Sequence, residues 1–580
     1  MKRNNFESLF LILMTFFAAC TLPSNENEKS KDASADYYEW TGSKNYKSPV
    51  ELPAISNQSK NLSPNWWKNS AFYHIWIKSF KDSDLDDCSQ NCGDFKGIED
   101  SLDYIQNDLG CDAIWLSPFW DCWYKGSTNA ESARINMHGY DVNDFYKVNK
   151  FFGTGDGSNA LEELESLIAA CHARGMKIIF DFIPNHTSHK NQWFLDSANG
   201  KNDKSNWYIW SNSPNNWKNT WGEDAWHNKN GRYYYAAFAD TQPDLNYRNY
   251  EVREEMKNVV RYWLNKGFDG LRIDAVRYLI ETKISQMDTS ETHEWFQELR
   301  KVIDEYESPK FMVCEAWIEY NRKLLNDYFG TEANPEFNMV LDFDQGKTCI
   351  TDVGKWWDEN LTSSLFTPVK SEWSYGTFLG NHDEYHGRLA DTFGEGSTKG
   401  AILATELSLL RPTVPFIYYG NEIAQKSGSQ DGDFRLRQPF KWSMANSQKT
   451  EENSILKVNK KLLELRQKDE YKKLFAKGKV QALYSDMIDN ATRNHWKGAV
   501  AYTISYESQK ILVVANLTGK EQLKFWFEDF GLSDSSKCKL IFGDENSNYK
   551  IDFESFENGA KNLVFKNFAS YEIRVYDLGK

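Results

Sequence analysis

The chain has 580 residues, 40% hydrophobic and 26% charged, which is enough for a large packed core and more than one domain. Its net charge of −15, with no basic block, lacks the electrostatic footprint of a nucleic-acid-binding protein, so no nucleic-acid partner is expected. Aromatic residues make up 15%, including 22 Trp. Several Trp stand in polar, Asn-rich stretches, where flat rings suit the apolar C–H faces of sugars and polar neighbours suit their hydroxyls.

The N-terminus reads MKRNN, then an apolar stretch from Leu9 to Ala19, then Cys20. A basic start, a short apolar run and small residues before the break are features of a signal peptide, and the run is too short to span a bilayer. Phe17-Ala18-Ala19-Cys20 resembles a bacterial lipobox, with Phe17 where Leu is usual. Residues 1–20 therefore read as a signal whose Cys20 is lipidated and holds the chain to a membrane; an ordinary secretory signal is the alternative. The expected location is the cell envelope, at the outer membrane or cell surface, or else the periplasm or medium. Residues 21–63, rich in Ser, Asn, Lys, Glu and Asp, read as a solvated tether. An exported chain keeps disulfides, and Cys88 and Cys92, in one loop, form the favoured pair. Cys171 and Cys314 fall in core elements and read as buried thiols. The Cys lack the paired clusters of a zinc site.

Residues 64–485 alternate short apolar segments with helical patterns. Strands are expected near 72–77, 112–117, 177–182, 269–274, 311–315, 338–342, 375–380 and 413–418. Among the helices between them, Ala160–Arg174 is closed by Gly175 and Tyr250–Lys266 by Gly267. Eight mostly apolar strands alternating with helices predict an α/β fold, a (β/α)8 barrel. After the third strand, residues 187–247 form an inserted subdomain holding Trp193, Trp207, Trp210, Trp217, Trp221 and Trp226. Residues 486–580 change to alternating segments (499–505, 509–516, 570–576) and predict a C-terminal antiparallel β-sandwich.

Three predicted barrel strands end in acids: Asp274 in DGLRIDAVRY, Glu315 in FMVCEAW and Asp383 in FLGNHDE. Asp181 and His186 in IIFDFIPNH mark a fourth such end. Barrels place their chemistry at the C-terminal ends of the strands, and paired carboxylates are the equipment of sugar-bond cleavage.

The segments DFIPNH (181–186), GLRIDAVRY (270–278), CEAW (314–317) and GNHDE (380–384) resemble, in order, the four signature regions of the α-amylase family, glycoside hydrolase family 13. HGYDVNDFY (138–146), QPDLNY (242–247), GCDAIWLSP (110–118) and PFIYYGNE (415–422) support it. The resemblance implies Asp274 as nucleophile, Glu315 as general acid/base and Asp383 as a third carboxylate on the sugar hydroxyls. It implies substrate contacts from His186, His382 and Tyr140, with Asp141 supporting the site through Arg272 or neighbouring groups. Arg272, two residues before Asp274 on one strand, points the same way and is expected to keep Asp274 ionised. Relatives often carry Arg three residues after the Asp of NHD; here that position is His386, and Arg388 is the nearest Arg.

The acidic run Asp82, Asp84, Asp86 and Asp94 has oxygen-rich spacing that suits Ca²⁺. Relatives have a calcium loop there, which this chain interrupts with residues containing Cys88 and Cys92. Asn185 matches a second calcium position of many amylases. No organic cofactor is implied. Ala275, after the nucleophile, favours α-1,4 bonds, since α-1,6 cleavers tend to carry Val; QPDLN is more frequent among oligo-1,6-glucosidases. Arg277-Tyr278 stands where many amylases have Lys-His. The resemblance thus implies a retaining α-amylase acting on α-1,4-glucans, and a monomer is expected. An exo-acting α-glucosidase, oligo-1,6-glucosidase or transglycosylase is the alternative, and an inactive glycan-binding surface protein a remote one.

Overall fold

The computed structural model describes residues 38–56, 62–84, 92–124, 138–319, 321–344, 373–383, 387–393, 398–430, 432–483, 498–517, 522–532, 534–544, 549–555 and 559–579. The signal segment, Cys20, Asp86, Cys88 and His386 lie outside these residues.

Eight strands form the barrel: β1 (Phe72–Ile75), β2 (Ala113–Leu116), β3 (Lys177–Phe182), β4 (Gly270–Ile273), β5 (Phe311–Cys314), β6 (Met339–Asp342), β7 (Tyr375–Thr377) and β8 (Val414–Tyr418). Each pairs parallel with its sequence neighbours, and β1 pairs with β8 to close the ring. Every expected strand is present. The reason is visible in burial: seven of the eight are buried at every position and β3 at all but its first, so only apolar runs fit.

Large rings fill the barrel interior. Phe72 stacks on Phe416 with centroids 4.5 Å apart, and Trp67 stacks on Phe311 at 5.3 Å. Room for them comes from glycine. Gly270 pairs with Phe311 across β4 and β5, and a Cβ there would lie 2.2 Å from the Phe311 carbonyl oxygen. At Gly376 a Cβ would meet Phe416 at 2.8 Å and Leu341 at 2.9 Å.

The helices end where their glycines place them. Ala160–Ala173 is followed by Arg174 and then Gly175 at φ 72°, and Tyr250–Lys266 by Gly267 at φ 120°. Both glycines take the left-handed backbone that closes a helix without a Cβ penalty.

The insertion after β3 contains the helix Gln192–Ala198 and a small antiparallel sheet in which Arg232–Tyr235 lies between Trp210–Ser211 and Trp226–Lys229. Most of its tryptophans are core residues: Trp207, Trp210 and Trp226 are buried, and Trp193 and Trp217 half-buried. Trp221 is the exception, 75% exposed. The insertion has a small core of its own, in which Trp226 and Tyr235 pack with Ile209, Ala225 and Ala237.

The C-terminal part has β9 (Lys479–Leu483), β10 (Ala499–Tyr506), β11 (Gln509–Asn516), β12 (Gln522–Glu528), β13 (Lys539–Phe542), β14 (Asp552–Ser555), β15 (Lys561–Phe568) and β16 (Ile573–Asp577). They form two antiparallel sheets, β9-β10-β11-β16-β13 and β12-β15-β14. Leu512 and Val514 of one sheet share a core with Phe525, Phe527 and Phe565 of the other, as in a sandwich. The Tyr502 hydroxyl donates to the Leu410 carbonyl (3.1 Å), tying sandwich to barrel.

Candidate active site

The acids converge on one cation at the C-terminal end of the barrel. Arg272 Nη1 lies 2.6 Å from Asp181 Oδ1 and 2.8 Å from Asp274 Oδ1, and Nη2 lies 2.9 Å from Glu315 Oε2. The register explains the meeting: Arg272 is opposite Asp181 on β3 and Val313 on β5, and Asp274 and Glu315 are each two residues further along their own strands. Arg272 is buried, and so are all three acids.

One guanidinium cannot balance three carboxylates in a dry site. Burial pushes Glu315 up to about 8, with Asp274 and Asp383 raising it further against the pull of Arg272. Burial likewise pushes Asp181 up to about 7 and Asp274 up to about 6. Arg272 pulls Asp274 toward its ionised form, as expected of it, against burial and the neighbouring Asp181 and Asp383, because the cation is shared. The Ala275 N–H donates to Glu315 Oε2 (3.2 Å). Ala275 adopts φ 50°, ψ 35°, a left-handed backbone that favours small residues.

Asp383 follows β7 and behaves differently. Burial alone would raise it, but His382 Nε2 at 2.7 Å and Arg437 Nη2 at 2.6 Å from its two oxygens hold it well below the usual carboxylate range. Burial pulls His382 down, opposed by the Asp383 carboxylate on its Nε2. The Tyr140 hydroxyl lies 2.6 Å from the same nitrogen and 3.3 Å from Asp181 Oδ2. The Tyr140 ring lies nearly parallel to His382, 5.7 Å away. His186 is buried beside Phe238 (5.5 Å between rings), and burial lowers it to about 4. Asp141 is buried, with Oδ2 3.7 Å from His138 Nε2.

Arg437 was not among the sequence candidates. It lies in the loop after β8, packs over Trp76 at 4.5 Å, and donates from Nε to the His382 carbonyl (3.2 Å). No strand-end pattern marks it. Arg388 turns elsewhere, to the carbonyls of Tyr419 (2.6 Å) and Leu436 (2.7 Å), so it braces the loops and Arg437 is the arginine that meets Asp383. Arg277 is held by Asp288 (Nε to Oδ1, 3.0 Å) and the Trp317 carbonyl (3.0 Å).

The calcium candidates are placed as follows. Asp94 accepts from the backbone N–H groups of Gly97 (2.6 Å) and Ser83 (3.0 Å), capping the helix Phe95–Glu99. Asp82 accepts from the Asp84 N–H (2.8 Å) and from Cys92 Sγ. Asn185 is buried, its carbonyl accepting from Leu245 N–H (3.0 Å). Among the described residues no three His, Cys, Asp or Glu gather as a metal cluster. Asp82 and Asp94 are thus engaged within their own loop. Cys171 and Cys314 are buried.

The family model for the α-amylase catalytic domain matches residues 74–473. Alpha-amylase 3 of Dictyoglomus thermophilum is 31% identical over 476 residues, covering 78% of this chain and 85% of that protein. An α-glucosidase of Apis mellifera is 31% identical over 475 residues, covering 71% and 76%. The crystal structure of an α-amylase from H. orenii superposes with a TM-score of 0.69 at 25% identity, covering 88% of this chain and 99% of that one. With the barrel, the ordered strand-end acids and these matches in hand, the chain belongs to the α-amylase family of glycoside hydrolases.

Proposed function

We propose that the protein is a retaining α-amylase that hydrolyses α-1,4 bonds in starch-like glucans. The observation that supports this most is geometric: Asp274 and Glu315 meet on one guanidinium at the C-terminal end of the barrel, 2.8 Å from Arg272 Nη1 and 2.9 Å from Nη2. A retaining glycosidase requires such a close pair, one acting as carboxylic acid and one as carboxylate. In the first step Glu315 gives its proton to the glycosidic oxygen, the bond from the anomeric carbon to that oxygen breaks, and Asp274 Oδ bonds the anomeric carbon. In the second, Glu315 takes a proton from water, whose oxygen displaces Asp274. Asp383, with His382 and His186, holds sugar hydroxyls, and Tyr140 packs on the same ring. Ala275 and the similarity to Alpha-amylase 3 over most of both chains support α-1,4 endo-cleavage. The second reading is an exo-acting enzyme on short maltooligosaccharides; it is favoured by an equal 31% identity to an α-glucosidase and 32% to an oligo-1,6-glucosidase of Halalkalibacterium halodurans.

Lipid anchoring through Cys20 and export belong to the same proposal, as does a structural Ca²⁺ near Asp82–Asp94, through which no step runs. The test is a time course on soluble starch and maltose with products resolved by length, run for the wild type, for Glu315→Gln and for the wild type after EDTA. Rapid loss of iodine staining with a spread of maltooligosaccharides, abolished in the mutant, is expected. Glucose released from chain ends with staining preserved moves the protein to the exo-acting reading. Activity and Tm unchanged by EDTA remove the calcium.

A further inference from the structure

Trp221 lies outside every role assigned above. A single exposed Trp is unremarkable by itself, since apolar atoms cover much of any protein surface. This one differs in how it is presented. Asn219 knots its turn: its side chain accepts from the N–H groups of Trp221 (3.0 Å) and Glu223 (2.9 Å), and its carbonyl accepts from Gly222 N–H (3.0 Å). Gly222 takes φ 83°, so the turn closes without strain. The knot rests on the chain next to the site. The Thr220 N–H donates to the Ala237 carbonyl (2.9 Å), and Asn219 Nδ2 to the Phe238 carbonyl (3.1 Å). The Phe238 ring is 5.5 Å from His186 and 5.2 Å from Tyr278, four residues past Asp274. The backbone is pinned while the indole has no ring partner among the described residues. The neighbouring loop is docked by Gln286 Nε2 on the Lys218 carbonyl (2.9 Å) and carries Ile284 at 94% exposure.

We propose that Trp221 is a stacking platform for an α-glucan chain of several sugars, on the flank of the cleft bounded by the insertion. The inference rests on the glucan reading above and adds where a long substrate is held beyond the sugar at the cleavage point. An indole face matches the apolar C–H face of a glucose ring, and the Asn219 knot fixes the backbone that carries it, so that no loop need be ordered on binding. A glucan is favoured over a protein or lipid partner because the platform is a single ring set in a polar turn, joined through Phe238 to His186, rather than a broad apolar patch.

The experiment uses inactive Glu315→Gln protein, alone and combined with Trp221→Ala or Trp221→Tyr, titrated calorimetrically with maltose and with maltoheptaose. Trp221→Ala is expected to weaken maltoheptaose by about 2- to 10-fold, the range of one aromatic contact. Maltose affinity should hold, and Trp221→Tyr should keep most of the long-chain affinity. Equal weakening of both sugars would make the turn merely structural and overturn the proposal, as would maltoheptaose binding that ignores Trp221→Ala. Failure of the amylase reading shows separately, in the product lengths from starch, and leaves this comparison intact.

Discussion

Glu315 and Asp274 are held by the two ends of one guanidinium, and their fates in pH follow from that. Asp274 must be ionised to attack and Glu315 must be protonated to donate. The rate should therefore fall below the value near 6 to which Asp274 is pushed and above the value near 8 to which Glu315 is pushed. Because the two interact, the limbs of the kcat/KM profile report the cluster rather than single residues. A profile measured on a short chromogenic substrate should be a bell centred near neutrality; an acid limb at the ordinary carboxylate range would refute the dominance of burial. At this scale the sequence was informative wherever a residue closed an apolar run, as Asp181, Asp274, Glu315 and Asp383 do. It was silent on Arg437, which reaches Asp383 from a loop whose path depends on packing over Trp76. It was misleading on most insertion tryptophans, since a Trp among Asn and Ser reads as exposed while Trp207 is 1% exposed.

The strands were legible because a barrel strand buried on both faces admits little but apolar side chains, and the helix ends because Gly175 and Gly267 stop them. What the elements require of one another was not legible. Gly270 looks like an ordinary strand start, yet its missing Cβ is what lets Phe311 and its carbonyl approach. Gly270→Ala should force β4 and β5 apart and cost about 1–3 kcal/mol, the usual range for overpacking. A denaturant midpoint lowered with unchanged slope would show it; an unaltered midpoint would mean the strands separate freely. Since β4 carries Arg272 and Asp274 while Glu315 follows β5, the same change should reduce activity more than a comparable loss of stability elsewhere.

For the whole molecule, barrel, insertion and sandwich form the described body, and no described helix is long and apolar enough to cross a membrane. With the lipid anchor at Cys20, wild-type protein expressed in a bacterial host should fractionate with membranes and be released by detergent, whereas Cys20→Ser should be soluble. Wild-type protein that is already soluble would leave the plain secretory signal. An anchored enzyme of this kind meets polymers too large to import, the setting in which a platform at Trp221 is useful.

The shared guanidinium has one further consequence. In the proposed reaction Asp274 surrenders its negative charge to the new ester just as Glu315 acquires one by losing its proton. The charge moves from the Nη1 side of Arg272 to the Nη2 side, and the total facing the cation stays constant. The step is isocoulombic at the protein's own wall, so little electrostatic reorganisation is asked of the surrounding groups.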